Sequence, residues 1–121
     1  MKAEIQDKRT TLPEAVDSYL EAAEKRPEIN AFTALYGDEA RKEAEVIQKK
    51  IRDGSAGRMA GAVMGIKDII SEKGKKVTCA SQILRPFEGV YNATVIERLK
   101  AEDALFIGRT NMDEFGMGSS N

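Results

Sequence analysis

The chain has 121 residues, 41% of them hydrophobic and 32% charged, and its 19 basic and 20 acidic side chains leave a formal net charge of -1. That is the size of one ordinary domain with material for a modest core, and its interspersed charges give no electrostatic reason for direct contact with nucleic acid. The absence of histidine excludes every Ser-His or Cys-His nucleophile pair and every histidine-bearing zinc site within the chain, and the single cysteine, Cys79, cannot close an internal disulfide, which fits a reducing compartment.

The opening "MKAEIQDKRTTLPEA" has no apolar signal core, and no stretch approaches the roughly 18 apolar residues of a membrane helix. A cytoplasmic protein without a membrane partner is expected, so the Asn92-Ala93-Thr94 sequon is taken as chance. Thr11-Leu12-Pro13-Glu14 reads as a capping box, with Leu12, Val16, Tyr19, Leu20 and Ala23 on one face of the helix it starts. Pro27 stops that helix near Arg26. The connection "EINAFTALYG" should bury Ile29, Phe32, Leu35 and Tyr36 under the helices. Asp38 can cap a second helix with inner face Ala40, Ala44, Ile47 and Ile51, ended by Asp53-Gly54. Residues 1–58 are therefore expected as a helical N-terminal region.

From residue 59 to 121 the pattern changes. Ala62-Val63-Met64-Gly65-Ile66 looks like a buried strand ending at Lys67. "SEKGKKVTCAS" suggests a hairpin or edge strand at Val77-Thr78. Asn92 would cap a third helix with Val95, Ile96 and Leu99 inward, and Leu105-Phe106-Ile107-Gly108 would follow as a second buried strand. Strand, helix, strand in that order implies an α/β fold with a crossover and a mixed, partly parallel sheet behind the N-terminal helices.

Lys67 interrupts the apolar run "GIKDII", and a buried amine costs several kcal/mol, on the order of a lost ion pair, unless it is paired or neutral. Pattern alone favours a strand-end lysine in water. Asp68 should point to the opposite face. If Lys67 points inward, a serine hydroxyl is its natural partner, because in a chain without histidine a lysine of lowered pKa is the usual alternative base. The basic turn Lys73-Gly74-Lys75-Lys76 is better read as a solvated turn than as a phosphate site, with Glu72 beside it and no aromatic residue interleaved. Cys79 reads as a small packing residue, and Met112, Phe115 and Met117 as core or pocket lining. "GRTNMDEFGMGSSN" packs three glycines, two serines, two asparagines and two acids directly after a buried strand, where parallel sheets place ligand loops.

The blocks "GIKDIISEKGKKVTCASQIL" and "YNATVIERLKAEDALFIGRTNMDEFGMGSS", after a helical preface, resemble the amidase signature family over most of the chain. Within it the similarity is greatest to the glutamine-hydrolysing A subunits that serve glutamyl-tRNA(Gln) amidation. The resemblance implies the amidase signature fold and a serine amidohydrolase with a Ser, cis-Ser, Lys triad, in which Lys67 matches the catalytic lysine and would be desolvated. Gly116, Met117, Gly118 and Ser119 match a substrate-pocket segment, and Ser81 matches a serine that could support Lys67. Asp68 lies in the family block and is given only a structural role. The two serines of the triad lie further downstream than Asn121, so the chain reads as an N-terminal portion, inactive alone and prone to self-association. No metal or cofactor is expected in this chain. ATP and magnesium would be used by a partner B subunit that amidates Glu-tRNA(Gln), with a small C subunit completing the assembly and tRNA met only indirectly. There are two departures from the family: "GAVMGIKD" lacks a common proline, and Glu102-Asp103 replace a glycine-containing turn. The alternatives are another amide hydrolase of the family and a self-contained interaction module.

Overall fold

The computed structural model describes Ile5 and residues 10–118. Helix α1, Leu12–Glu24, begins at the expected capping box: the Glu14 N–H donates to Thr11 Oγ1 (3.3 Å), and the Thr11 N–H donates to Glu14 Oε2 (2.8 Å). Two orphan donors of the first turn are thereby satisfied within the sequence itself. A third, the Leu12 N–H, donates to Gln48 Oε1 at 2.7 Å, so the start of α1 is tied to the next helix by a buried bond. Leu12, Ala15, Val16 and Leu20 are buried, while Tyr19 is left on the outer edge of the stripe.

A turn of 3-10 helix, Pro27–Ile29, follows, and Asn30 turns the chain in the left-handed region. The segment expected as a plain connection then contains a strand, β1, Phe32–Leu35, paired antiparallel with a later strand. Four residues are too few to show an alternation of period two, so only the distant partner reveals this strand. The Tyr36 N–H continues the pairing by donating to Ile107 O at 2.8 Å, which carries the chain straight into helix α2, Gly37–Asp53. Tyr36, not Asp38, is therefore the N-cap residue. Asp38 and Glu39 fall in the first turn, where their charge favours the positive end of the helix. Ala40, Ala44, Ile47 and Gln48 are buried, and Gly54 closes the helix at φ 74°.

Strand β2, Val63–Lys67, helix α3, Thr94–Ala101, and strand β3, Leu105–Thr110, form the expected crossover, with β2 and β3 parallel. Between β2 and α3 the hairpin or edge strand is replaced by a loop with isolated bridges, Lys73 to Gly89 and Lys76 to Glu88. Asn92 does not cap α3. Its side chain accepts the Lys73 N–H at 2.9 Å instead, and Ala93 takes the cap position without a side-chain bond. Of the expected inner face, Ile96 is buried and Val95 is exposed.

The sheet order is β1-β3-β2, a mixed three-stranded sheet with β3 in the middle. Alternate residues of β3 serve opposite faces. Leu105 and Ile107 pack with Leu12, Val16, Leu20, Ala40, Ala44 and Ile47 of the helices, while Phe106 packs with Ile66, Ile96 and Ala104. The first of these clusters joins residues from both sides of position 58 in one core. Gly108 permits the antiparallel side, because a Cβ there would lie 2.3 Å from Ala34 O. At the Glu102-Asp103 turn, Asp103 adopts φ 61°, a conformation that suits glycine. Its buried carboxylate accepts from Lys50 Nζ (2.6 Å) and from the Gly57 N–H (2.8 Å), which offsets the strain. Burial pushes that carboxyl up, and the bonds from Gly57 and Lys50 outweigh it and hold it below the usual range.

Candidate functional site

Three loops meet at the carboxyl ends of the parallel strands, and the sequence of β2 decides what the first presents. Ile66 is buried, Lys67 is exposed and Asp68 is fully buried, the alternation of a strand end. The Lys67 amine has no hydrogen bond or ion pair among the described residues. This is the arrangement the pattern alone favours. Lys67 is exposed among the described residues, so they do not supply the desolvation implied by the family resemblance.

Asp68 is the organising residue of the second loop. Its Oδ1 accepts from Arg109 Nε at 2.8 Å and from the Thr78 N–H at 3.2 Å, and its Oδ2 accepts from the Thr78 hydroxyl. Its backbone is equally committed: the Asp68 N–H donates to Thr110 O (3.1 Å), and its carbonyl accepts the Cys79 N–H (3.1 Å). Burial raises the carboxyl, but the Thr78 and Arg109 bonds outweigh it and hold the group ionised below the usual carboxylate range. The loop so anchored passes through Cys79 and Ala80, both left-handed at φ 50° and 54°. Two consecutive non-glycine residues in that region persist only where surrounding bonds over-determine them.

Ser81 closes this turn, its N–H donating to Thr78 O at 2.9 Å. Its buried hydroxyl donates to Glu114 Oε1 at 2.7 Å and accepts the Ile83 N–H at 3.3 Å. Among the described residues the Ser81 hydroxyl makes these bonds and none to Lys67. The left-handed pair rotates Ser81 toward the third loop, and its hydroxyl is engaged there.

That third loop follows β3 and contains the 3-10 turn Glu114–Gly116. The Phe115 N–H donates to Cys79 O at 3.0 Å, joining loops two and three. Phe115 and Gly116 are both left-handed, at φ 54° and 68°. A Cβ on Gly116 would stand 3.7 Å from Ile69 Cδ1, so this backbone adjoins the loop that carries Lys67. The Gly118 N–H donates to Asp113 Oδ2 at 2.6 Å. Gly116, Met117 and Gly118 are exposed, and Ser119 lies outside the described residues. Lys67, Ser81 and Gly116–Gly118 are therefore gathered at one end of the sheet. A cleft of about 440 Å³ opens beside them, lined by Phe32, Thr78, Ser81, Arg85 and Asn111 among others, with Lys67 outside its lining.

Beneath the loops lies a charged cluster that reading for catalytic residues missed. Arg109, fully buried in β3, donates from Nη2 to Ile70 O at 2.6 Å, and its Nη1 stands 3.6 Å from Glu72 Oε2. Glu72 is paired in turn with Lys100 Nζ at 2.8 Å. Tyr36 joins through the electrostatic influence of Arg109 on its hydroxyl, which burial pushes up to about 12. Its ring carries the Lys75 ammonium 4.2 Å from the centroid. Tyr36 Oη, Glu72 Oε2 and Arg109 Nη1 are buried without a protein hydrogen bond, the setting in which an ordered water bridges polar groups. An arginine inside "LFIGRT" was the available signal, since a charge in a buried strand demands a counter-ion. Among the described residues no group of three or more His, Cys, Asp or Glu is placed to hold a metal ion.

The model of the amidase family matches residues 14–121. The chain is 49% identical over 114 residues to the A subunit of the glutamyl-tRNA(Gln) amidotransferase of Chlorobium phaeobacteroides, covering 93% of this chain and 24% of that protein. It is 49% identical over 118 residues to the second such A subunit of Clostridium acetobutylicum, covering 96% of this chain and 25% of that one. Among solved structures it is similar to an amidase (TM-score 0.85, 28% identity, 97% of this chain and 27% of that chain). It is also similar to a bacterial aryl acylamidase of the amidase signature enzymes (TM-score 0.84, 26% identity, 94% and 24%). The chain spans about a quarter of the length of the curated relatives it matches.

Proposed function

The chain belongs to the amidase family, and from that premise we propose that it is the N-terminal portion of a subunit that hydrolyses glutamine and passes the ammonia to amidation of Glu-tRNA(Gln). The observation that carries the reading is the place of Lys67. Its amine is exposed at the end of a parallel strand whose following turn, at Ile69, adjoins the backbone of Gly116, in a chain 49% identical to glutamyl-tRNA(Gln) amidotransferase A subunits.

In the proposed reaction a serine from the remainder of the polypeptide attacks the carboxamide carbon of glutamine. Its proton passes through a bridging serine to Lys67 and then to the departing nitrogen, which leaves as ammonia. Water next hydrolyses the acyl-enzyme to glutamate. An amine serves as a base only when neutral, and burial is the means by which proteins favour that form. The wall that covers Lys67 is assigned to polypeptide beyond the described residues. The exposed backbone at Gly116–Gly118 would lie along the substrate, where missing side chains allow close approach. B and C subunits, ATP and magnesium on the B subunit, and a cytoplasmic setting belong to the same reading.

The test is glutamine hydrolysis by the full-length polypeptide with its partner subunits, with and without Lys67→Ala. The unaltered protein should release glutamate and ammonia, the variant should lose at least about a thousandfold in kcat, as removal of other triad members does, and the 121-residue chain alone should be inactive. Undiminished turnover in Lys67→Ala would remove the lysine from the chemistry and the reading with it.

A further inference from the structure

We propose that Asp68 is a positioning residue for Lys67, acting by locking the strand end and the Thr78–Ser81 turn to β3. The inference rests on the reading of Lys67 as the base. Asp68 cannot itself exchange protons with a substrate: it is fully buried, and its two carboxylate oxygens are committed to Arg109 Nε, the Thr78 N–H and the Thr78 hydroxyl. Its commitments instead converge on the backbone that bears the amine.

Three chain segments meet at this one residue. The Asp68 N–H is held by Thr110 O, and its carbonyl holds the Cys79 N–H. Arg109, paired with the carboxylate, reaches past it to the Ile70 carbonyl, while the Ile70 N–H donates to Lys67 O at 2.9 Å and closes the turn that starts at the lysine. Lys67 is thus flanked on its C-terminal side by a turn anchored to β3 and to the 78–81 loop. That loop is itself held against its left-handed strain by the same carboxylate. The Cys79 carbonyl then accepts the Phe115 N–H. Asp68 therefore ties the strand end that bears Lys67 to the third loop, its carboxylate holding Thr78 and Arg109 while its backbone carbonyl holds Cys79, whose own carbonyl holds Phe115 beside Gly116. A flexible four-carbon side chain needs such a fixed root, since a misplacement of about 1 Å can cost about a hundredfold in rate.

Asp68→Asn and Thr78→Val, made singly and together in the full-length protein with its partner subunits, test this. Asparagine keeps the size and one acceptor but loses the charge, and Thr78→Val removes only the hydroxyl donor. Asp68→Asn should lower kcat for glutamine hydrolysis about ten- to hundredfold with little change in KM, because the loss is in alignment and not in substrate binding. Thr78→Val should lower kcat less, and the double variant should be no worse than Asp68→Asn, since the Thr78 hydroxyl acts only through its bond to the Asp68 carboxylate. If Asp68→Asn fails to fold, the milder Thr78→Val carries the test by the same drop in kcat at unchanged KM. Unchanged kcat per folded molecule, accompanied only by a lower unfolding temperature, would overturn the proposal. Full activity of Lys67→Ala would overturn it together with the functional reading, whereas an inactive Lys67→Ala beside a fully active Asp68→Asn would overturn the positioning role alone.

Discussion

Replacing Arg109 by methionine removes the only guanidinium from a cluster in which every other member is a carboxylate, a hydroxyl or a half-exposed lysine. Asp68 is fully buried and Glu72 is 2% exposed, so neither can turn to water when its partner disappears. Asp68 would keep its two bonds from Thr78, and Glu72 would keep Lys100. The Ile70 carbonyl would lose its donor. Breaking a buried ion pair from one side costs about 3–5 kcal/mol. A domain of this kind has about 5–15 kcal/mol in total. With a urea slope of about 2 kcal/mol/M, the midpoint should fall by about 1.5–2.5 M. Asp68→Asn added to Arg109→Met should recover part of that loss, because it removes the stranded charge. The pH dependence supplies a second sign. In the unaltered chain the Asp68 carboxyl lies below its ordinary value of 3.8, so its contribution is full above that pH and is lost as acid titrates the folded form. Without Arg109, burial is opposed by Thr78 alone, and the acid loss should become shallower. Urea unfolding followed by circular dichroism from pH 7 to pH 3 measures both. A midpoint shift under about 0.3 M, with a double variant weaker than the single one, would refute the reasoning.

Two further outcomes can be checked on the chain itself. The Tyr36 hydroxyl is raised from 10.0 to about 12, chiefly by burial, so its stabilising effect is complete below pH 10 and is lost as the pH rises through about 12; Tyr36→Phe should delete a tyrosinate absorbance step near pH 12, and deletion of a step near pH 10 would contradict the buried cluster. Gly108→Ala places a methyl 2.3 Å from the Ala34 carbonyl, whereas Gly65→Ala meets chiefly the Thr110 Cγ2 methyl at 2.6 Å; a clash with backbone is harder to relieve than one with a side chain, so Gly108→Ala should cost about 1–3 kcal/mol and speed amide exchange at Tyr36, and Gly65→Ala should cost less.

The parts of the fold legible in advance were those whose signal is local. The capping box at Thr11 and Glu14, the stop at Gly54, and the β2-α3-β3 crossover all follow from short-range chemistry. The parts that were not legible depend on a distant partner. Asn92 looks like a helix cap until Lys73 takes its side chain. β1 looks like a connection until β3 lies beside it. The Ser81 hydroxyl bonds Glu114 because two left-handed residues before it turn it that way, a conformation no local pattern signals. The family match spans Lys67, which is exposed at its strand end.

What the sequence by itself determined about this protein is its chemistry of exclusion and its repertoire: no histidine base, one cysteine, a lysine at a strand end, and glycine-rich backbone after the next strand. Those follow from residue identity and from periods of two and 3.6, which need no knowledge of what lies across the sheet. Only the tertiary structure decided that Asp68, Thr78, Glu72, Tyr36 and Arg109 form one buried cluster under the site. Ion pairing and desolvation depend on distance in space, and Asp68 and Arg109, 41 residues apart in the chain, become neighbours only when β2 and β3 align in parallel.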